Sequence, residues 1–173
     1  VRLHPPTSPI LSRYTHGFPC FLAEHEKLSH LPYLQDVARI DAAMLESYHA
    51  ADSTGIDPAA LQALDEATLL QTRFEFAPSM RLLRSQWPIG AIWHYTMRGG
   101  EKPTGTAQDV LILRAEFDPE PHVLGAGAAD VLSALQNGTP FGQAVENAAE
   151  GFDLGALLGL LLTQNAISAL LHD

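Results

Sequence analysis

The sequence is poor in cysteine and in lysine, and each shortage excludes a class of protein. Cys20 is the only cysteine, so no intrachain disulfide can form and no cysteine-based zinc motif exists. Lys27 and Lys102 are the only lysines. The chain has ten basic and twenty acidic side chains, which gives a formal net charge of −10. Nucleic-acid binding draws on clustered cations that contact phosphates. We therefore expect no nucleic-acid interface in this segment.

The first residues, VRLHPP, do not resemble an export signal. They lack the apolar core and the small-residue cleavage site of a signal peptide. Together with the single cysteine, this favours a cytoplasmic protein. Because the chain does not begin with Met, we also expect that a natural N-terminal part precedes it.

The sequence also lacks the motifs that usually carry catalysis or bind metals. None of its eight histidines is spaced as in HExxH or HxxxH, and no GxSxG occurs. The run that begins at Gly125 has only two of the three glycines of a dinucleotide-binding fingerprint. Cys20 lies between Phe18 and Phe21, which is typical of an inert packed thiol. We expect no catalytic residue, no metal and no cofactor on this chain.

What remains is the composition of one globular domain, with 173 residues of which 46% are hydrophobic. Apolar periodicity, proline and capping residues predict the elements of an α+β fold. The predicted helices cover residues 9–26, 32–51, 57–64, 88–95, 126–136, 139–149 and 154–171. The predicted strands cover residues 70–76, 80–87, 109–117 and 122–124. This order gives N-terminal helices, a small and mainly antiparallel sheet of three or four strands, and a C-terminal helical layer.

The last predicted helix, residues 154–171, contains no charged side chain. Its 18 residues are close to the minimum that spans a bilayer. Thr163, Gln164 and Asn165 lie together in its middle, however, and no basic or aromatic flank follows. A buried core helix is the favoured interpretation, and no membrane partner is expected.

Asp41 lies among the apolar positions of the second predicted helix. A buried carboxylate must be paired or hydrogen-bonded, so we expect Asp41 to be a structural buried acid with Arg81 or Arg84 as its partner. The predicted sheet should also leave a free edge, to which an extended peptide from another molecule could add.

The sequence is similar to the HvfC/BufC family in four runs that occur in the family's order. The runs are YTHGFPCFL from Tyr14, LPYLQDVARID from Leu31, APSMRLL from Ala77 and WPIGAIW from Trp87. The resemblance extends over residues 8–171 and corresponds to the C-terminal part of the family. It implies that residues 1–27 are an extension and the end of a missing N-terminal helical domain, and that residues 28–173 are the α+β C-terminal domain.

The resemblance implies a function without catalysis. HvfC-like proteins are non-catalytic partners of multinuclear non-haem iron-dependent oxidases that modify ribosomally made peptides. By resemblance, this chain binds such an oxidase and the leader of the precursor peptide, with the iron on the partner. The candidate contact residues are Arg81, Arg84, Trp87 and Trp93, because Arg and Trp are common interface anchors; each tryptophan could equally be a core residue.

A second function stays open at this point. The N-terminal half of the family was labelled a DNA-binding domain, so the chain could be the effector or dimerisation part of a transcriptional regulator. In that case the missing N-terminal part would bind DNA.

Overall fold

The computed structural model of the chain describes residues 17–172, and it is an α+β fold. The described residues form eight α-helices. These are α1 (Phe18–Glu24), α2 (Leu34–His49), α3 (Pro58–Gln62), α4 (Glu66–Gln71), α5 (Ile89–Arg98), α6 (Ala128–Gln136), α7 (Phe141–Glu146) and α8 (Leu154–Thr163). The five strands are β1 (Arg73–Phe76), β2 (Arg81–Ser85), β3 (Gln108–Leu113), β4 (Glu120–Val123) and β5 (Ile167–Leu171).

The N-terminal half follows the predicted pattern closely. The helix predicted for residues 32–51 is α2, and α1 packs against it. The prediction of a helix over residues 9–26 lies partly outside the described residues; within them α1 covers Phe18–Glu24. The Asp57 carboxylate accepts a hydrogen bond from the Ala59 amide at 2.9 Å and so caps α3, as the Asp57-Pro58 pair predicts.

The strands form two antiparallel sheets rather than the single sheet expected from the sequence. One sheet has the order β2-β3-β4, and the other is the pair β1-β5. The predicted first strand is also shorter than expected, because Leu70 and Gln71 belong to α4, which Asp65 caps through the Thr68 amide.

The last predicted helix is wrong in its second half. α8 ends at Thr163, and the chain then forms β5, which pairs with β1. Asn165 makes the reversal with a φ of 53°, a left-handed conformation that Asn tolerates better than most residues. No helix among residues 17–172 is long and apolar enough to cross a membrane.

β3 forms the centre of the fold because both of its faces are buried. Val110 and Ile112 pack towards α2 and α5, whereas Leu111 and Leu113 pack towards α6, α7 and α8. All four side chains are at most 1% exposed. Burying each aliphatic side chain of this kind contributes about 1.5–3 kcal/mol. Because these side chains lie on both faces of β3, the strand joins the two helical layers into one core.

Candidate functional site

A groove of about 330 Å³ runs along the free edge of β2. Its walls come from three elements, of which β2 is distant in sequence from the other two. Its lining is formed by Pro19 and Cys20 of α1, by Gln35, Arg39, Ala42, Ala43 and Glu46 of α2, and by Arg81, Leu82 and Leu83 of β2.

The register of the sheet shows which main-chain groups of β2 point into the groove. The Leu124 amide donates to the Asp109 carbonyl, so alternate residues of β3 beginning at Asp109 bond to β4. The remaining residues of β3, such as Val110, therefore bond to β2, and Val110 is opposite Leu83.

The main-chain groups of Leu82 and Arg84 consequently point away from the sheet. Two side chains confirm this direction. Arg39 Nη1 donates to the Arg84 carbonyl at 3.4 Å, and Arg81 Nη1 donates to the Met80 carbonyl at 2.9 Å. Guanidinium groups thus bond to part of an edge that would otherwise be open to another strand.

The other free edge of this sheet, along β4, is less suited to strand addition. Its outward-facing positions are Pro121 and Val123, as the bond between Leu124 and Asp109 implies. Pro121 has no amide hydrogen to donate, which is a common way of blocking an edge strand. The β4 edge is therefore blocked at Pro121, whereas the β2 edge keeps its amides and is bonded in part to Arg39 and Arg81.

Arg81, a predicted contact residue, lies in the wall of this groove. Its Nε donates to Glu46 Oε2 at 3.0 Å, and its Nη1 donates to the Pro78 carbonyl at 2.7 Å. The ion pair between Arg81 and Glu46 links β2 to the face of α2. Its side chains are about one third exposed, at 32% and 37%, so the ion pair itself adds at most about 1 kcal/mol.

Arg84, the second predicted contact residue, points to the opposite face of the sheet. Its Nη1 lies 2.7 Å from Asp130 Oδ1 on α6, and its Nε lies 3.5 Å from Asp109 Oδ1 on β3. The hydrogen bond to Asp130 raises the pKa of Arg84 above its already high ordinary value. Only the main chain of Arg84 belongs to the groove.

The two tryptophans differ in exposure. Trp87 is half-buried beside the cluster formed by α2, α5 and β3, whereas Trp93 is 7% exposed and lies within that cluster. Trp93 thus takes the core position, which the sequence left open as the alternative to a contact role.

Asp41 is not the buried acid that the sequence predicts. The residue is exposed, and its Oδ1 accepts a hydrogen bond from Trp93 Nε1 at 3.2 Å. Arg81 and Arg84 have other carboxylate partners, as described above. Partial burial of the carboxyl group raises the pKa of Asp41, although the bond from Trp93 acts in the opposite direction.

Sequence reasoning missed the α2 wall of the groove. Gln35, Arg39, Ala42 and Glu46 recur at helical spacing, so they form one face of α2 on which the small Ala42 lies between the charged Arg39 and Glu46. That periodicity was visible in the sequence. What the sequence did not show is that this face lies beside the free edge of β2 instead of facing solvent.

Residues 17–172 contain no group of three or more His, Cys, Asp and Glu side chains that could hold a metal ion. The chain matches no model of a known protein family, and a search of curated proteins also finds no match. The similarity to the HvfC/BufC family thus stays a prediction.

Proposed function

We propose that this chain is the non-catalytic partner subunit of a multinuclear iron-dependent oxidase. In this role it binds the oxidase and the leader of a ribosomally made precursor peptide, while the iron and oxygen chemistry takes place on the partner. The four sequence runs suggest the role. The observation that supports it most directly is the groove along the free edge of β2.

The leader would bind as an additional strand beside β2. Its main chain would bond to the outward-facing amides and carbonyls of Leu82 and Arg84, as in other complexes formed by strand addition. β2 has five residues, so a bound segment of about five residues, roughly 17 Å long, would be aligned. Alternate side chains of the leader would contact the α2 wall.

Binding would require Arg39 to leave the Arg84 carbonyl. The existing bond, at 3.4 Å, is near the upper limit for a hydrogen bond and is therefore weak. The Arg39 guanidinium keeps a second interaction with Asp36 Oδ1 at 3.2 Å, which would hold it beside the groove after displacement. The energetic cost of opening the edge is accordingly small.

Cys20 provides a direct readout of occupancy. Cys20 is exposed, so the expectation of a packed thiol is wrong; it lines the groove and is the only cysteine of the chain. The rate of Cys20 alkylation should fall in proportion to the fraction bound when the synthetic leader peptide of the precursor encoded beside the oxidase is added. A scrambled peptide of the same composition is the control. An unchanged alkylation rate at peptide concentrations that saturate binding to the complex would contradict the groove as the site.

A proline substitution tests strand addition. Leu82→Pro removes an amide that faces the groove and leaves the bonds between β2 and β3 intact, so peptide affinity should fall about tenfold. Val123→Pro is the matched control, because it removes an outward-facing amide at the opposite edge of the same sheet. Equal affinities of the two variants, measured by calorimetry, would refute binding through the edge of β2.

The partnership itself is tested by co-expression with the neighbouring oxidase-like protein, followed by size-exclusion chromatography and iron analysis. Co-elution, with iron following the oxidase, is the expected result. Separate elution, with and without the precursor peptide, would contradict the proposal. A gel-shift titration of the full-length protein at several salt concentrations would then test the regulator hypothesis, because phosphate contacts give a steep salt dependence.

A further inference from the structure

The turn between β3 and β4 displays a side chain that contributes nothing to the core. Phe117 is 80% exposed, which is the highest value among the large hydrophobic side chains that the structure describes. It lies between Glu116 and Asp118, which are also exposed. Single exposed apolar residues are common on proteins, so exposure alone does not indicate a binding surface.

The base of this turn is anchored at both of its ends. The Arg114 side chain is 9% exposed and bonds to main-chain carbonyls at the end of α2, at 2.9 Å to Tyr48 and 3.0 Å to Ala50. Pro119 is buried on the other side of the turn. Little conformational entropy would be lost when such a turn docks, so Phe117 is presented ready to bind.

The charge around Phe117 is unbalanced. The three described arginines at this end of the sheet are already paired, Arg98 with Glu120 at 2.9 Å, Arg114 with Asp52 at 3.0 Å and Arg81 with Glu46 at 3.0 Å. Glu116 and Asp118 form no ion pair with any described residue. The tip thus combines an exposed aromatic ring with two uncompensated carboxylates.

We propose that this tip inserts Phe117 into an apolar pocket of a protein partner whose rim carries Lys or Arg. Anionic membranes and nucleic acids would be repelled by Glu116 and Asp118, and so would a second copy of this acidic tip. A basic rim would pair with the two carboxylates and would steer the approach of the partner. An aromatic anchor enclosed by polar groups is a common form of interface hot spot.

The position of the tip relates it to the groove, and this step rests on the proposed function. Arg81 begins β2 and lies opposite Ile112, one residue before the end of β3 from which the tip projects. A leader bound along β2 would leave the groove at its Arg81 end or at its Ser85 end. Because the tip lies at the Arg81 end, an oxidase bound to Phe117 would lie at that end as well. The leader would then pass from the groove towards the oxidase.

The test is the affinity of the full chain for the oxidase-like protein, measured by calorimetry for the wild type and for Phe117→Ser. We expect the substitution to raise Kd about 10- to 100-fold. Leu171→Ser is the control, since Leu171 is also exposed but belongs to the other sheet; its Kd should change less than twofold. Thermal unfolding checks that both variants fold.

A second experiment tests the two carboxylates. The double substitution Glu116→Gln and Asp118→Asn should lower the rate of association with the oxidase-like protein severalfold and weaken the dependence of that rate on salt. Faster association of this double variant would overturn the proposal. An unchanged Kd for Phe117→Ser would also overturn it while leaving the partnership intact. No complex with the wild type would overturn both the partnership and this inference. A dimer that only Phe117→Ser abolishes, with oxidase affinity unchanged, would assign the tip to a second copy instead.

Discussion

The indole Nε1 of Trp93 lies 3.2 Å from Oδ1 of Asp41, and this bond links the core to the surface of α2. The ring of Trp93 packs with Ile40, Val110 and Ile112, while the carboxylate of Asp41 reaches solvent. Trp93 can therefore be buried in the core without leaving its N–H unpaired.

Replacing Asp41 should separate the hydrogen bond from the charge. Asp41→Ala leaves the Trp93 N–H without its partner, so we expect a loss of about 1 kcal/mol in the free energy of unfolding at pH 7. Asp41→Asn keeps an acceptor and removes the partly buried charge, so its stability should equal that of the wild type or exceed it by a few tenths of a kcal/mol. Urea unfolding followed by tryptophan fluorescence measures both.

The pH dependence gives the control for this pair. Burial raises the pKa of Asp41 in the folded state. At pH values above this folded pKa, the ionised carboxylate therefore destabilises the folded state by a small amount. This penalty should disappear as the pH falls through the folded pKa, and the stability difference between wild type and Asp41→Asn should shrink with it. A difference that grows on acidification would contradict the assignment.

Much of the fold could be predicted from the sequence, because local signals and tertiary packing agree there. Asp57-Pro58 predicts the start of α3, and the Val-Leu-Ile-Leu run from Val110 predicts a strand. Asn137-Gly138 predicts the end of α6, and Gly138 indeed has a φ of 79°. In these segments the residue pattern is sufficient on its own.

The remaining errors come from long-range contacts that no local pattern encodes. The uncharged run after Asp153 fits a helix throughout, yet β1 pairs with its second half and makes it a strand. The groove was missed for the same reason, since it depends on α1, α2 and β2 meeting. Arg81 and Arg84 lie on one strand, as predicted. Because side chains alternate between the two faces of a strand, residues three apart lie on opposite faces. Arg84 therefore reaches Asp130, on the face away from α2.

Among the arginines of residues 17–172, Arg114 should be the one on which stability depends most strongly. Its side chain is 9% exposed and bonds to the carbonyls of Tyr48, Ala50 and Ala51 and to Asp52. A cation at this position also interacts favourably with the C-terminal dipole of α2. We expect Arg114→Met to lower the free energy of unfolding by about 2–3 kcal/mol, measured by urea denaturation.

Arg98→Met is the matched control for Arg114→Met. Arg98 forms an ion pair with Glu120, but both side chains are more than half exposed. An exposed pair of this kind contributes little, so the loss should stay below about 0.5 kcal/mol. Equal losses in the two variants would show that burial of Arg114 does not determine its contribution.

His122 should make the protein less stable in mild acid. Burial lowers the pKa of His122; Glu120 opposes this shift, whereas His94 and Arg98 add to it, and the buried Nε2 has no hydrogen-bond partner. Because the folded pKa lies below the ordinary value of 6.5, stability should be full above pH 6.5 and should fall as the pH drops towards the folded pKa.

His122→Leu should remove this part of the pH dependence. The ring is only half-buried, so the effect between pH 7.5 and 5.5 should be less than about 1 kcal/mol. A profile of His122→Leu that coincides with that of the wild type would refute the role of His122.

Gly55 should tolerate no side chain, because the turn that separates α8 from β5 packs directly against it. A Cβ at residue 55 would lie 2.8 Å from the Cα of Asn165, which is backbone and cannot rotate away. The next residue, Ile56, donates its amide to the Ile167 carbonyl at 2.9 Å, so the segment cannot shift without losing a bond to β5. We expect Gly55→Ala to lower the free energy of unfolding by about 1–3 kcal/mol in urea denaturation. Gly105→Ala, where the added Cβ would meet its nearest neighbour at 3.6 Å, is the control and should change stability by less than about 0.5 kcal/mol. Equal stability of the two variants would show that the close packing of Gly55 against the turn at Asn165 does not determine where β5 begins.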